Sequence, residues 1–272
     1  MTTELLKKIS VALNKNLFTT TVGSMNLAVT GGQKLAGTIA TNTSKNGAVG
    51  LLCASLLNRG TTTLRNVPRI EEVFRLIEVL ESIGGKINWD DDRLTLTPPK
   101  TFDLKQIDVA AARRTRSIVM FIGPLIHQLK KFSLPQSGGC KLGSRTVRPH
   151  FYALEQFGVT IDTTADAYKV STKPQQPQDI ILYESGDTVT ENALMAAALT
   201  PSTTTIKYAS ANYMVQELCF FLEACGVQID GIGTTTLTVT GVDTIDTDLE
   251  YTLSEDPTDT MFFLTAAIVT KS

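Results

Sequence analysis

Three segments of the chain end with the same pattern, and this repeat restricts the possible folds more than any other feature. In each segment an apolar helical stretch is followed by a glycine and then by two short β-branched runs that are typical of a hairpin. The glycines are Gly84, Gly158 and Gly226. Repeated units of this kind pack against one another. The chain is therefore predicted to be an α/β protein built from βαβαββ units.

The spacing of apolar residues and turn residues predicts the elements inside and around these units. Helices are expected at 48–57, 70–83, 116–129, 148–157, 190–199 and 214–224, and strands at 61–67, 86–89, 93–97, 132–135, 159–161, 168–170, 203–208, 227–229 and 236–239. Before the first unit, 2–17 is predicted to be a short amphipathic helix, and 25–30 and 35–39 to be strands. A helix from Thr260 to about Thr270 starts a fourth unit.

Composition favours a globular protein over several other classes. The chain has 272 residues, of which 42% are hydrophobic and 19% charged, and its net charge is -2, so it lacks the basic footprint of a nucleic-acid-binding protein. The four cysteines form no CxxC pair, and the two histidines have no metal-ligand spacing. The N-terminal stretch lacks the unbroken apolar core of a signal peptide, and no stretch is long enough to cross a membrane. A reducing cytoplasm is the expected compartment.

Residues 137–145 place one thiol among glycines and cations. Lys141 and Arg145 lie close in sequence to Cys140, and nearby cations lower the pKa of a thiol and attract anionic substrates. Glycines let the backbone approach a ligand closely. The pattern predicts a reactive cysteine, although a surface loop with an incidental cysteine fits the spacing equally well.

Several motifs together resemble the enolpyruvyl transferases, and within them the UDP-N-acetylglucosamine 1-carboxyvinyltransferases. The resemblance runs from about Met25 to the end of the chain. The motifs that carry it are Gly31-Gly32-(x)2-Leu35-(x)-Gly37, Ser44-Lys45-Asn46, Asn66-Val67-Pro68, Arg116-Ser117-Ile118 with Gly123-Pro124-Leu125, Gly138-Gly139-Cys140-(x)2-Gly143-(x)-Arg145, and Leu154-Glu155-Gln156-Phe157-Gly158.

The resemblance implies an inside-out α/β barrel with six repeated units in two globes, of which this chain holds three and the start of a fourth. Residues 44–256 would form the globe with the cysteine loop, whereas 25–43 and 257–272 would belong to the second globe and 1–24 would be an extension. A partner chain or self-association could complete the second globe. An exposed apolar face is also expected at Met261, Phe262, Leu264, Thr265 and Ile268.

The activity implied by the resemblance is transfer of an enolpyruvyl group from phosphoenolpyruvate to the 3-hydroxyl of UDP-N-acetylglucosamine, a step of peptidoglycan precursor synthesis. Cys140 matches the family's catalytic proton donor. Lys45, Asn46 and Arg145 match residues that bind phosphoenolpyruvate. The positions that match the nucleotide-sugar site are Arg116, Thr146, Val147, Arg148 and Pro149. The two substrates are the only partners implied: neither a metal nor an organic cofactor is expected, and neither nucleic acid nor a membrane.

Two departures from the family leave other functions open. Arg148 reverses the charge of a position in the nucleotide site, and Gly186-Asp187-Thr188 is more acidic than the family's nucleotide contact. A catalytically inactive module that binds anions or sugar nucleotides fits these changes, as does an enzyme that uses a different acceptor alcohol.

Overall fold

The computed structural model describes residues 32, 34–138, 146–173 and 179–272. The helix predicted at 2–17, the strand at 25–30 and most of the cysteine loop lie outside the described residues. Residues 39–262 form one compact unit, and the described residues at the two chain ends form another. Within the described part of the chain, no helix is both long and apolar enough to span a bilayer.

Eight α-helices are numbered here in chain order over the described residues. They are α1 (Lys45–Ala54), α2 (Glu71–Ser82), α3 (Val109–Arg113), α4 (Ile122–Leu125), α5 (Arg148–Glu155), α6 (Asp187–Ala198), α7 (Tyr213–Ala224) and α8 (Pro257–Val269). Short 3-10 helices occupy Ser55–Leu57, Leu104–Gln106 and Ser117–Phe121.

Eleven strands are described, and they form three sheets. They are β1 (Thr62–Arg65), β2 (Lys86–Asp90), β3 (Arg93–Thr97), β4 (Lys131–Pro135), β5 (Val159–Thr163), β6 (Ala167–Thr172), β7 (Asp179–Ile181), β8 (Thr203–Lys207), β9 (Gln228–Asp230), β10 (Thr236–Thr240) and β11 (Leu249–Thr252). The sheet orders are β11-β1-β3-β2, β4-β6-β5 and β7-β8-β10-β9.

Helices, rather than strands, form the centre of the 39–262 unit. Residues 47–54 of α1, 117–125 and 189–198 of α6 are all buried, so these three segments have no solvent-facing side. Strands such as β8 and β10 bury only alternate residues, which gives each sheet one face toward the core and one toward solvent. The arrangement confirms the predicted inside-out α/β architecture.

The repeat is present but is completed differently in each unit. In the third unit, β7-α6-β8-α7-β9-β10 follows the predicted order, and β7 pairs with β8 in parallel. In the first unit the equivalent parallel partner of β1 is β11, which comes from the far end of the globe. The second unit has no such leading strand in its described sheet. The prediction of one identical sequential order was therefore wrong, because a strand distant in sequence supplies the missing ladder hydrogen bonds.

The three repeated glycines end equivalent helices. Gly84, Gly158 and Gly226 have φ values of 106°, 78° and 94°, in the left-handed region where a side chain is disfavoured. Gly158 directly precedes the first strand of its hairpin, and a single residue separates Gly84 and Gly226 from theirs. The predicted helix–glycine–hairpin pattern is confirmed.

Two predicted elements differ from the structure. The helix predicted at 116–129 is a 3-10 helix followed by the single turn α4, because Pro124 has no N–H and the Gly123 N–H donates instead to Asn192 Oδ1 at 2.9 Å. No strand lies within 34–42, where Leu35 and Ile39 are exposed. The apolar side chains expected to be exposed near the carboxyl end, including Phe262 and Ile268 of α8, are exposed.

Candidate functional site

A cleft of about 780 Å³ opens where the N-terminal ends of six helical segments meet. The N-terminus of a helix carries partial positive charge and N–H groups without intrahelical partners, so such a site favours an anionic ligand. The cleft is lined by Lys45, Asn46, Val49, Glu72, Arg116, Ser117, Val119, Met120, Thr146, Val147, His150, Glu184, Ser185, Gly186, Asp187, Thr188, Val189 and Met214.

The first turn of α1 brings Lys45 and Asn46 to this cleft. The buried Ser44 is the N-cap, and its hydroxyl accepts from the Gly47 N–H at 2.9 Å. The Ser44 N–H in turn donates to the Ser254 carbonyl at 2.9 Å. These two bonds fix the start of the helix, so the two residues that follow the cap line the cleft.

Glu72, which the sequence did not identify as a site residue, binds Lys45. Its Oε2 lies 2.7 Å from Lys45 Nζ, and its Oε1 accepts from Ser117 Oγ at 2.7 Å and from Thr115 Oγ1 at 3.1 Å. Burial alone would raise the pKa of this carboxyl, but the hydrogen bonds from Lys45, Ser117 and Thr115 outweigh it and the pKa is lowered. Glu72 is therefore an ionised anchor for the ammonium.

His150, on the opposite wall of the cleft, is a neutral residue held by buried partners. Burial, with a smaller contribution from Arg116, lowers its pKa to about 3. Its Nδ1 lies 3.2 Å from Asn192 Nδ2, and its Nε2 lies 3.3 Å from Thr188 Oγ1. Because the Asn192 amide donates, Nδ1 accepts, and the ring N–H on Nε2 donates to Thr188. The Thr188 hydroxyl is thereby left able to donate into the cleft.

Asn192 is itself fixed by the backbone of the neighbouring buried segment. Its Oδ1 accepts from the Gly123 N–H at 2.9 Å, and its Nδ2 donates to the Val119 carbonyl at 3.1 Å. Asn192 is fully buried. These bonds determine the orientation of the amide, and with it the tautomer of His150.

The start of α6 places an acidic group in the same cleft. Asp187 Oδ1 accepts from Ser210 Oγ at 2.5 Å, and Oδ2 accepts from Asn212 Nδ2 at 3.2 Å. The exposed Glu184 lies just before it on the rim. The acidic character noted in the sequence at 186–188 is therefore a property of the cleft wall.

The structure brings together five of the nine predicted site residues. Lys45, Asn46, Arg116, Thr146 and Val147 all line the cleft. By contrast, Arg148 pairs with Glu155 at 2.9 Å and Pro149 is buried in the first turn of α5, and neither is among the described residues that line the cleft.

Cys140 and Arg145 lie outside the described residues, but the segment that leads into their loop is described. Gln136 N–H donates to the Asp166 carbonyl at 2.9 Å, and the Ser137 and Tyr168 hydroxyls lie 2.9 Å apart. The backbone at Gly138 approaches the Arg113 carbonyl so closely that no side chain would fit. The first glycine of the loop is thus required by packing.

The other three cysteines are poor nucleophiles. Cys53 and Cys219 are buried, and Cys225 is half-buried. Burial raises the pKa of Cys53 well above its usual value and raises the pKa of Cys219 and of Cys225 to about 12. Cys53 and Cys219 are therefore core residues. Among the described residues, no group of three or more His, Cys, Asp or Glu side chains could hold a metal ion.

Comparisons with known proteins agree on one family. Residues 29–272 match the family model described as EPSP synthase (3-phosphoshikimate 1-carboxyvinyltransferase). The chain is 34% identical over 246 residues to the UDP-N-acetylglucosamine 1-carboxyvinyltransferase of Treponema denticola, covering 89% of this chain and 57% of that protein. It is 32% identical to the protein of the same name from Bradyrhizobium diazoefficiens, covering 90% and 56%. The chain thus spans little more than half the length of these relatives.

Solved structures agree on the fold. The enolpyruvyl transferase NikO from Streptomyces tendae superposes with a TM-score of 0.73 at 20% identity, covering 87% of this chain and 56% of that chain. EPSP synthase from Acinetobacter baumannii superposes with a TM-score of 0.65 at 16% identity, covering 85% and 52%. At these identities the likeness concerns the fold alone.

Proposed function

Because the chain belongs to the EPSP synthase family of carboxyvinyltransferases, we propose that it is the cysteine-loop part of an enzyme that transfers an enolpyruvyl group from phosphoenolpyruvate to UDP-N-acetylglucosamine. The observation that carries this proposal is the cleft itself. Lys45, Asn46 and Arg116, all matched to the family by sequence, meet there at the N-terminal ends of buried helices. The helix N-termini and the two cations on this side of the cleft support an anionic ligand there.

The proposed reaction has two steps. The sugar 3-hydroxyl oxygen bonds to C2 of phosphoenolpyruvate while the C3 methylene gains a proton, for which the Cys140 thiol is the proposed donor. The tetrahedral intermediate then loses phosphate from C2 and a proton from C3, which restores the enol double bond. Lys45 and Arg145 would balance the charge of the phosphate and carboxylate throughout.

Turnover is proposed to require more than this chain supplies. The resemblance places the base that takes the hydroxyl proton in the half of the relatives that the chain does not span. A phosphate-release assay with both substrates tests this directly. Strong turnover by the chain alone would contradict the need for further residues, whereas phosphoenolpyruvate binding without turnover is the expected result.

Covalent labelling tests the proposed role of Cys140. Fosfomycin carries both an epoxide and a phosphonate, so a thiol beside an anion site should open the epoxide faster than a buried thiol. Mass spectrometry is expected to locate the adduct on Cys140, with Cys53, Cys219 and Cys225 as internal controls. Labelling that is equal at all four cysteines, or absent from Cys140, would contradict a preserved site.

The acidic wall favours a second candidate function, a non-catalytic module that binds an anion or a sugar nucleotide. Asp187 and Glu184 line the cleft, at positions where the resemblance implies a nucleotide contact. This candidate predicts binding without chemistry even when a complementary carboxyl-terminal half from a relative is added. Phosphate release on that addition would favour the enzyme.

A further inference from the structure

The carboxylate of Glu72 connects three separate segments at one end of the cleft. One oxygen holds Lys45, at the start of α1, at 2.7 Å. The other accepts from Thr115 and Ser117, which flank Arg116 at the start of the 3-10 helix. Glu72 itself lies in the first turn of α2. A single side chain therefore touches the helix that carries one cation and both neighbours of the other.

An ordinary surface ion pair does not have this arrangement. The adjacent Glu71 provides the comparison, because among the described residues it pairs with the exposed Arg114 alone, and it does not line the cleft. Exposed pairs of that kind contribute little to stability. The Glu72 side chain is only 27% exposed, and three donors from two other segments converge on it. These convergent contacts fix the positions of the three donors and of the Glu72 side chain, which lose conformational freedom.

We infer that Glu72 is the positioning residue of this cleft, holding Lys45 directly and the turn that carries Arg116 through Thr115 and Ser117, so that the lysine proposed to bind phosphoenolpyruvate and the arginine proposed to bind the sugar nucleotide face the cleft at a set spacing. The inference rests on the proposed function, since it takes phosphoenolpyruvate as the ligand. The role inferred for Glu72 is to act through Lys45 and Arg116 rather than on the reacting atoms.

Positioning by Glu72 and simple charge repulsion by Glu72 predict different effects on phosphoenolpyruvate affinity. If Glu72 only repelled the anion, replacing it with a neutral residue would change phosphoenolpyruvate affinity by the same factor whether or not Lys45 were present. If Glu72 positions Lys45, the effect of removing Glu72 depends on Lys45. A double-mutant cycle measures this dependence.

The experiment uses four forms of the 272-residue protein: wild type, Glu72→Gln, Lys45→Met and the double variant. Each is titrated with phosphoenolpyruvate by calorimetry. For each background we compare the dissociation constant with Glu72→Gln to that without it. This ratio is expected to be about fivefold larger in the wild-type background than in the Lys45→Met background, the order of effect for losing one preorganised side chain. Thermal unfolding of each variant checks that it is folded.

Glu71→Gln is the matched control, because it removes the same charge one residue away without touching the cleft, and its effect should be the same in both backgrounds. Ser117→Ala provides a second route if Glu72→Gln does not fold. It removes one donor to Glu72 without changing charge, and should weaken binding about twofold, an effect on the scale of one hydrogen bond.

Each outcome separates the two claims. Equal effects of Glu72→Gln in both backgrounds would overturn the positioning role of Glu72, while weaker binding by Lys45→Met would leave the proposed function standing. No binding of phosphoenolpyruvate by the wild type would overturn the proposed function, and the inference with it. A fivefold difference that is absent from Glu71→Gln would support both.

Discussion

Two walls of the cleft have the same architecture but different chemistry. The lysine side comprises Lys45, Asn46, Glu72, Arg116 and Ser117; the aspartate side comprises residues 184–189 together with His150 behind them. Both are built from the first turns of helices. On the lysine side, partly exposed charged groups hold one another, with Lys45 43% and Glu72 27% exposed.

The aspartate side is held instead by buried neutral groups. Thr188 rests on His150, which rests on Asn192, which is bonded to the backbone of the central 3-10 helix and α4. Buried polar groups are costly to leave unpaired, so this network is rigid. The difference indicates that one wall holds its charged groups by mutual ion pairs and hydrogen bonds, while the other holds its shape by buried neutral groups.

The largest expected effect is on stability, from Asn192→Ala on the aspartate side. The substitution leaves the Gly123 N–H, the Val119 carbonyl and His150 Nδ1 without their partner, at about 1–3 kcal/mol for each buried group. Chemical denaturation should show a loss of about 3 kcal/mol or more. Asn88→Ala, on the exposed side of β2, is the control and should change the free energy of unfolding by less than about 0.5 kcal/mol. A loss under about 1 kcal/mol from Asn192→Ala would remove the evidence for a rigid wall.

The second effect is the pH dependence that His150 imposes. Its pKa is about 3 in the folded protein and about 6.5 when unfolded. As pH falls below 6.5 the unfolded chain takes up a proton that the folded chain does not, so stability falls by up to about 1.4 kcal/mol per pH unit.

His150→Gln should show a correspondingly shallower decline between pH 6.5 and pH 4, measured by denaturation at each pH. Burial also lowers the pKa of His127, to about 4, but that contribution is present in both proteins, and the difference reports His150 alone. Parallel curves for the two proteins would show that the ring is not held neutral.

The third effect is a loss of phosphoenolpyruvate affinity when the lysine side is changed. Lys45→Met removes the ammonium at the start of α1 and should weaken phosphoenolpyruvate binding about tenfold, equivalent to about 1.4 kcal/mol. Titration calorimetry measures it. Lys105→Met, on an exposed 3-10 turn, removes the same charge away from the cleft. If both variants weakened binding equally, net charge rather than the lysine side would be responsible.

The smallest expected effect is stronger ligand binding when a negative charge is removed from the aspartate side. Asp187→Asn should strengthen binding of uridine diphosphate about threefold, because one negative charge is removed from a wall that a phosphate would approach. Asp166→Asn is the control, since Asp166 pairs with Arg113 and does not line the cleft. Weaker binding by Asp187→Asn would mean that the carboxylate accepts a hydrogen bond from the ligand.

Much of the fold was predictable because its signals are local. Apolar periodicity identified α1, α2, α6 and α7. The glycines after the helices marked the sharp turns into the hairpins, because the backbone there is left-handed and favours glycine. Lys45, Asn46 and Arg116 were predicted as site residues from the resemblance to the family, and all three line the cleft at the start of helical segments. The break in the helix predicted at 116–129 has a local cause, Pro124, and a distant one, the Asn192 amide that accepts from the Gly123 N–H across 69 residues; only the distant cause could not be read from the sequence.

The sequence by itself determined the helix–glycine–hairpin repeat and the apolar character of the central helices. Only the tertiary structure decided which of two adjacent glutamates serves the cleft, that β11 completes the first sheet, and that a histidine without metal spacing orients a threonine. The physical reason is that periodicity and capping are properties of a few neighbouring residues. Ion pairs, strand partners and buried hydrogen bonds depend instead on which distant segments pack side by side.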